Sequence, residues 1–98
     1  MAGFVQIIEY QTSRIDEMDA LIAERRASGE PMPMVRAMAT ADRDRPNTYL
    51  SIIEFESYEQ AMENSNRPDT HELAQKMAAL CDGPAKFYNL DVRATMEP

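Results

Sequence analysis

His71 is the one histidine of the chain and the side chain whose ordinary pKa lies closest to neutrality, which makes it the candidate general base. It sits between Thr70 and Glu72 in the first turn of an expected helix, a setting that equally suits a solvated residue. Asn64 and Asn66 flank the break before Pro68, where a side-chain amide can hydrogen-bond a ligand carbonyl or cap exposed backbone. Tyr10, Tyr49 and Tyr88 fall on expected strands. Their phenols can donate and accept within a pocket, and their rings can equally be core or interface aromatics. Arg36 stands in mid-strand, where a guanidinium needs solvent, a carboxylate or an anionic ligand. Glu54 on the neighbouring strand is the expected carboxylate.

Several chemistries lack their residues. One His, one Cys and scattered carboxylates do not make the spacings of a zinc site. Glycine-rich phosphate loops, G-x-S-x-G elbows and H-E-x-x-H are absent, so no cofactor and no metal are expected. Cys81 falls on the apolar face of a helix, as a buried inert thiol does. The formal charge of −7 and the pI near 4.6 come from acidic residues spread along the chain. Nucleic acid and anionic membrane both demand clustered Lys and Arg, so neither is an expected partner.

No stretch approaches the roughly 20 apolar residues of a membrane span, and Met1 to Gln6 has neither a basic region nor a long apolar run. A single cysteine permits no internal disulfide, so a cytoplasmic location is expected. The 98 residues leave room for one core, a single domain over 1–98. A domain of this size buries roughly two thirds of its unfolded surface, so association would help it. Eight Met and no Trp point to a core that fills gaps with flexible thioethers, Met18, Met62 and Met77 among them.

The elements that must position these residues follow from periodicity. Phe4 to Tyr10 is apolar on both alternating faces, with Phe4, Ile8 and Tyr10 on one and Val5 and Ile7 on the other, a strand covered on both sides. Ser13 followed by Asp16 is a weak capping box for a helix. Ile15, Met18, Leu21, Ile22 and Arg25 then keep helical spacing, with Asp16, Glu17, Glu24 and Arg26 wet. Gly29 is the expected left-handed stop, and Pro31 and Pro33 keep the helix from resuming.

Met34 to Thr40 alternates as a second strand, Ala41 to Asn47 is a polar turn, and Thr48 to Phe55 returns as a third strand of a hairpin. Ser57 with Gln60 caps a short helix that Pro68 ends. Asp69 or Thr70 caps another, to about Cys81, with Leu73, Met77, Leu80 and Cys81 on its apolar face. Asp82-Gly83-Pro84 stops it. The last strand spans about Lys86 to Ala94, with Tyr88, Leu90 and Val92 on one face and Phe87, Asn89, Asp91 and Arg93 on the other.

The order β-α-β then β-α-α-β predicts an α+β, ferredoxin-like fold, a four-stranded antiparallel sheet with helices on one face. The face away from the helices then carries an apolar patch, and a two-fold homodimer that pairs two such faces covers it. The run Ile53-Glu54-Phe55-Glu56-Ser57-Tyr58-Glu59-Gln60-Ala61-Met62-Glu63-Asn64, followed by Pro68-Asp69, resembles the strand-to-helix core of the antibiotic-biosynthesis-monooxygenase-like group within the dimeric α/β-barrel superfamily. That resemblance implies a homodimeric barrel of two ferredoxin-like subunits. It also implies a cavity in each subunit between sheet and helices, where cofactor-free oxygenases or haem-degrading relatives work.

Where that group commonly has Trp or Tyr, this chain has Phe55; in place of a histidine it has Asn64, and in place of Pro-His it has Pro68-Asp69. His71 lies two residues past the second of these, about 200° around a helix, so no haem-ligand or catalytic histidine carries over. The candidate set is Asn64 and His71 as catalytic residues, with Tyr10, Arg36, Tyr49 and Tyr88 as ligand-binding residues. Two functions fit it. One is a cofactor-independent monooxygenase or cyclase-like protein, with a small aromatic or polyketide-type substrate in an aromatic-lined pocket of roughly 300 Å³ or more. The other is a non-catalytic homodimer that binds a small organic ligand or serves as an accessory subunit. Convergence of Asn64, His71, Tyr49 and Arg36 on one cavity would favour the first, and if they point to separate surfaces the enzyme reading loses its candidate site.

Overall fold

The computed structural model describes residues 3–29 and 33–97, and the expectations placed on Met1, Ala2 and Pro31 lie outside them. The chain runs through β1 (Phe4–Gln11), α1 (Ile15–Ala27), β2 (Arg36–Ala41), β3 (Thr48–Phe55), α2 (Tyr58–Ser65), α3 (Pro68–Ala79) and β4 (Lys86–Asp91). The strands form one four-stranded antiparallel sheet in the order β2-β3-β1-β4, the ferredoxin-like arrangement. β1 and β3, the strands with apolar residues on both faces, occupy the centre.

Cross-strand partners lie on one face of a sheet, so the register sorts every side chain. Phe4 pairs with Phe55, Gln6 with Ile53, Ile8 with Ser51 and Tyr10 with Tyr49. Phe87 of β4 lies opposite Ile8, and Asn89 opposite Gln6. This is the helix side: Phe4 and Phe55 are buried with Ala61 of α2, and Met34, Ile53 and Met62 pack around them. The Tyr58 ring meets Phe4 edge-on at 5.4 Å. Tyr10 and Met18 complete the buried apolar set among the described residues.

The opposite face carries Val5, Ile7, Leu50, Ile52, Met38, Tyr88 and Leu90, with no element of the described chain over it. Met38 is 41% and Leu90 44% exposed there. Arg36 and Glu54 pair directly across β2 and β3 on this face, the ion pair expected from their adjacency. At the other end Arg45 lies 3.5 Å from Glu9, and the Tyr88 hydroxyl donates to Glu9 at 3.3 Å.

Local signals hold in most places. Gly29 has φ +76, and the Gln60 N–H donates to Ser57 Oγ at 3.1 Å as a cap should. Several expectations need correction. β2 runs from Arg36 to Ala41 and not from Met34 to Thr40, and neither Asp69 nor Thr70 caps α3. Ser13 does not cap α1, which begins after Arg14 without a side-chain cap; the hydroxyl that serves this junction is Thr12. Fully buried, it accepts from Arg14 N at 3.0 Å and donates to the Leu80 carbonyl at 2.6 Å, tying β1 to the end of α3. Pro68 ends α2 as expected, since Arg67 before it is extended at ψ 138, but it is also the first residue of α3, where Asp69 or Thr70 was expected to cap. The last strand stops at Asp91, short of Ala94.

Candidate functional site

On the helix side of the sheet, polar side chains interrupt the core. Gln6 alternates with Phe4, Ile8 and Tyr10 along β1, Ser51 stands between Tyr49 and Ile53 on β3, and Asn89 between Phe87 and Asp91 on β4. Gln6 Nε2 donates to Asn89 Oδ1 at 3.1 Å. The Phe87 ring beside them is 57% exposed, so the helices do not close over this edge. Tyr10 and Tyr49 stack with ring centres 5.8 Å apart. Burial pushes the Tyr10 phenol above its ordinary pKa, a hydrogen bond from Ser51 works against this, and the Asp19 charge adds to the rise. Tyr10 therefore stays protonated, as a donor, through the neutral range.

Above the sheet, Asn64 lies one turn beyond buried Ala61 on α2, and its Oδ1 accepts from the Thr70 hydroxyl at 3.3 Å. Asp69 is held by two guanidinium groups. Arg25 of α1, its side chain only 13% exposed, reaches Asp69 Oδ2 at 2.9 Å. Arg67 donates to both carboxylate oxygens, at 3.1 and 2.8 Å. Partial burial would raise the Asp69 pKa, but the bonds from Arg25, Arg67 and the Thr70 N–H (3.0 Å) outweigh it and hold the carboxyl below its usual range. A carboxylate so held is a strut between α1 and the α2–α3 turn and a poor proton acceptor.

A folded pKa depressed below the unfolded one gives stability that is present above the unfolded value and lost as pH falls through the folded value. We therefore expect Asp69→Asn to be less stable than the parent at neutral pH, with the gap closing in acid. Urea midpoints across a pH series read this, and a gap that ignores pH would assign the loss to packing.

The remaining candidates point elsewhere. His71 is exposed on α3, its Nε2 3.4 Å from Gln75 Nε2. Arg36 and Tyr88 lie on the face opposite Tyr10 and Tyr49, Tyr88 with the Lys86 ammonium 5.0 Å from its ring centre. So the structure brings Tyr10 and Tyr49 together, sets Asn64 in the helix layer on their side, and leaves His71, Arg36 and Tyr88 apart. The Cys81 thiol donates to the Met77 carbonyl at 3.3 Å, and burial, then the Asp82 charge, push its pKa up, as suits an inert thiol. Among the described residues no three His, Cys, Asp or Glu side chains gather as metal ligands would.

No protein-family model matches the sequence, and no curated protein does. Solved structures do. SnoaB, a cofactor-independent oxygenase from Streptomyces nogalater, superposes with a TM-score of 0.80 at 17% identity over 100% of both chains. A monooxygenase from the gene ActVA-Orf6 of Streptomyces coelicolor, solved with nanaomycin D, gives 0.76 at 19% identity over 99% of this chain and 93% of that one. An antibiotic biosynthesis monooxygenase gives 0.73 at 15% identity over 93% and 99%. The chain has the antibiotic-biosynthesis-monooxygenase-like fold.

In this monooxygenase-like fold the residues that sequence reasoning passed over are Gln6, Ser51, Asn89 and Thr70. Gln6 and Ser51 were signalled by period two, as hydrogen-bonding side chains in rows that otherwise build the core, whereas Asn89 lies in an exposed row with Phe87 and Asp91. Two grooves lie away from them. One of about 360 Å³ is lined by Glu17, Ala20, Leu21, Glu24, Lys76 and Leu80, with no aromatic. The other, about 250 Å³, lies between Pro33, Met34, Val35, Glu56 and Gln60.

Proposed function

We propose that the protein is a cofactor-independent monooxygenase for a small, flat aromatic substrate of polyketide type, held against the helix side of the sheet. The observation that carries this is the set Gln6, Ser51 and Tyr10 on the helix side of the sheet, with Asn89 bonded to Gln6 at its open edge. Gln6 bonds Asn89 and Ser51 bonds Tyr10, and the donors and acceptors these amides and hydroxyls have left can meet the carbonyl and hydroxyl oxygens of a ring substrate. SnoaB, a cofactor-independent oxygenase, and the nanaomycin D complex supply the precedent within this fold. Phe87 and Tyr49 offer ring faces for stacking, and Asn64 offers amide N–H groups to a phenolate oxygen.

Such a ring is its own reductant. A deprotonated hydroxyarene gives four electrons to O2: one oxygen atom becomes a ring carbonyl, and the other leaves as water with the hydrogens of the substrate O–H and C–H. The test is oxygen uptake by the chelator-treated, flavin-free protein with a dihydroxynaphthalene under isotopically labelled O2. We expect one labelled atom in the quinone and uptake above the protein-free rate. Saturable binding without uptake would instead support a non-catalytic ligand-binding or accessory role, which the separation of His71 and Arg36 from Tyr49 favours.

The same reading places two copies with their open faces together, covering Val5, Ile7, Leu50 and Ile52. Light scattering at micromolar concentration should give twice 11.1 kDa. A clean monomer would refute the dimer. No described helix is long and apolar enough to cross a membrane; a cytoplasmic home is part of this proposal.

A further inference from the structure

We infer that Thr70 is a positioning residue that sets which end of the Asn64 amide faces a substrate. This deepens the reading above and rests on Asn64 being a donor to the substrate oxygen. An asparagine amide has one acceptor atom and two N–H donors, and free rotation about its last bond would present either end. Here the Thr70 hydroxyl donates to Oδ1 at 3.3 Å, and in that arrangement the end left for a ligand is Nδ2. That end suits a carbonyl or phenolate oxygen and repels a donor. Hydrogen-bond donors fixed in advance on a developing negative charge are among the strongest devices available to a site without a bound group.

Thr70 is itself held. Its N–H donates to Asp69 Oδ1 at 3.0 Å, and Asp69 is gripped by Arg67 from the turn and Arg25 from α1. The chain Arg25, Asp69, Thr70, Asn64 thus links the last turn of α1 to the substrate side of α2, with Asp69 acting through its neighbours and not on the substrate. Asp69 stands where the resembled group commonly has a histidine, and its use as a strut gives that departure a physical role.

The test compares Thr70→Val, which keeps the shape and removes the hydroxyl, with Thr70→Ser, which keeps the hydroxyl. With a dihydroxynaphthalene as substrate, Thr70→Val should lose about tenfold in kcat, the worth of one modest hydrogen bond, with KM within about twofold. Thr70→Ser should restore kcat. The Asn64 side-chain amide resonances, assigned by their loss in Asn64→Asp, should move in Thr70→Val and stay in Thr70→Ser. Equal losses in both variants, or a Thr70→Val protein with parental kcat and unmoved resonances, would overturn the inference. If the parent protein does not consume oxygen, the functional reading fails by itself; the amide resonances then decide the positioning alone, movement in Thr70→Val only supporting it and no movement refuting it.

Discussion

Phe55→Ala should lower the free energy of unfolding by about 3–5 kcal/mol, the range for removing a buried aromatic ring. Phe55 is 1% exposed at the end of β3, with its ring centre 6.5 Å from that of Phe4 and Ala61 over both. The cavity cannot collapse easily. Phe4 is fixed in the register opposite Phe55, and Ala61 has no side chain long enough to fill the space. The loss is a large share of the roughly 5–15 kcal/mol by which domains are stable. Denaturant melts at one fixed concentration read it, since association would make the midpoint concentration-dependent. Exposed Met96 serves as the control, and Met96→Ala should stay within about 0.5 kcal/mol. A loss below about 1 kcal/mol for Phe55→Ala would mean that the helix layer does not pack on this end of the sheet.

The second large effect is on turnover. Asn64→Ala should reduce kcat for a dihydroxynaphthalene by about a hundred- to a thousandfold, the cost of deleting a donor to a developing anion. Asn64 is half-buried and follows Ala61 by three residues, so the alanine leaves the core contact in place and the fold should survive. His71→Ala is the contrast. His71 is exposed beside Gln75, and its loss should change kcat by less than about twofold. The reverse ranking would place the chemistry on the outer side of α3 and remove Asn64 from it.

Much of the fold was legible locally. The alternation of Thr48 to Phe55 sets β3 to the residue, Ser57 and Gln60 mark the start of α2, and Gly29 marks the end of α1, because each signal is carried by neighbours in sequence. The Arg36–Glu54 pair was legible for a related reason, since a hairpin puts its strands in adjacent register.

What was not legible depends on distant partners. The hydroxyl of Thr12 gains its role from Leu80, 68 positions away, so a rule that scans three residues ahead found Ser13 instead. Asp69 is a strut because Arg25, 44 positions away, joins its neighbour Arg67 in holding it, and the distant partner was not readable. Pro68 does two things: extended Arg67 before it closes α2, as the local rule says, and its fixed φ opens α3 at once, which no rule of helix ending reveals. Gln6 and Ser51 could have been found, because the strand pattern already put them in rows with Phe4, Tyr10 and Phe55; Asn89 shares a row with Asp91 and is exposed, so no pattern singled it out.

In the proposed function the two faces of the sheet divide the labour, with ligand on the helix side and a second copy on the open side. Titration of the isotopically labelled protein with a dihydroxynaphthalene under anaerobic conditions, followed by amide resonances, tests it most directly. The account predicts saturable shifts at Gln6, Ser51, Asn89 and the Asn64 side chain, with Val5, Ile7, Leu50 and Ile52 unmoved. Shifts concentrated on those four open-face residues, with the helix-side row silent, would contradict it.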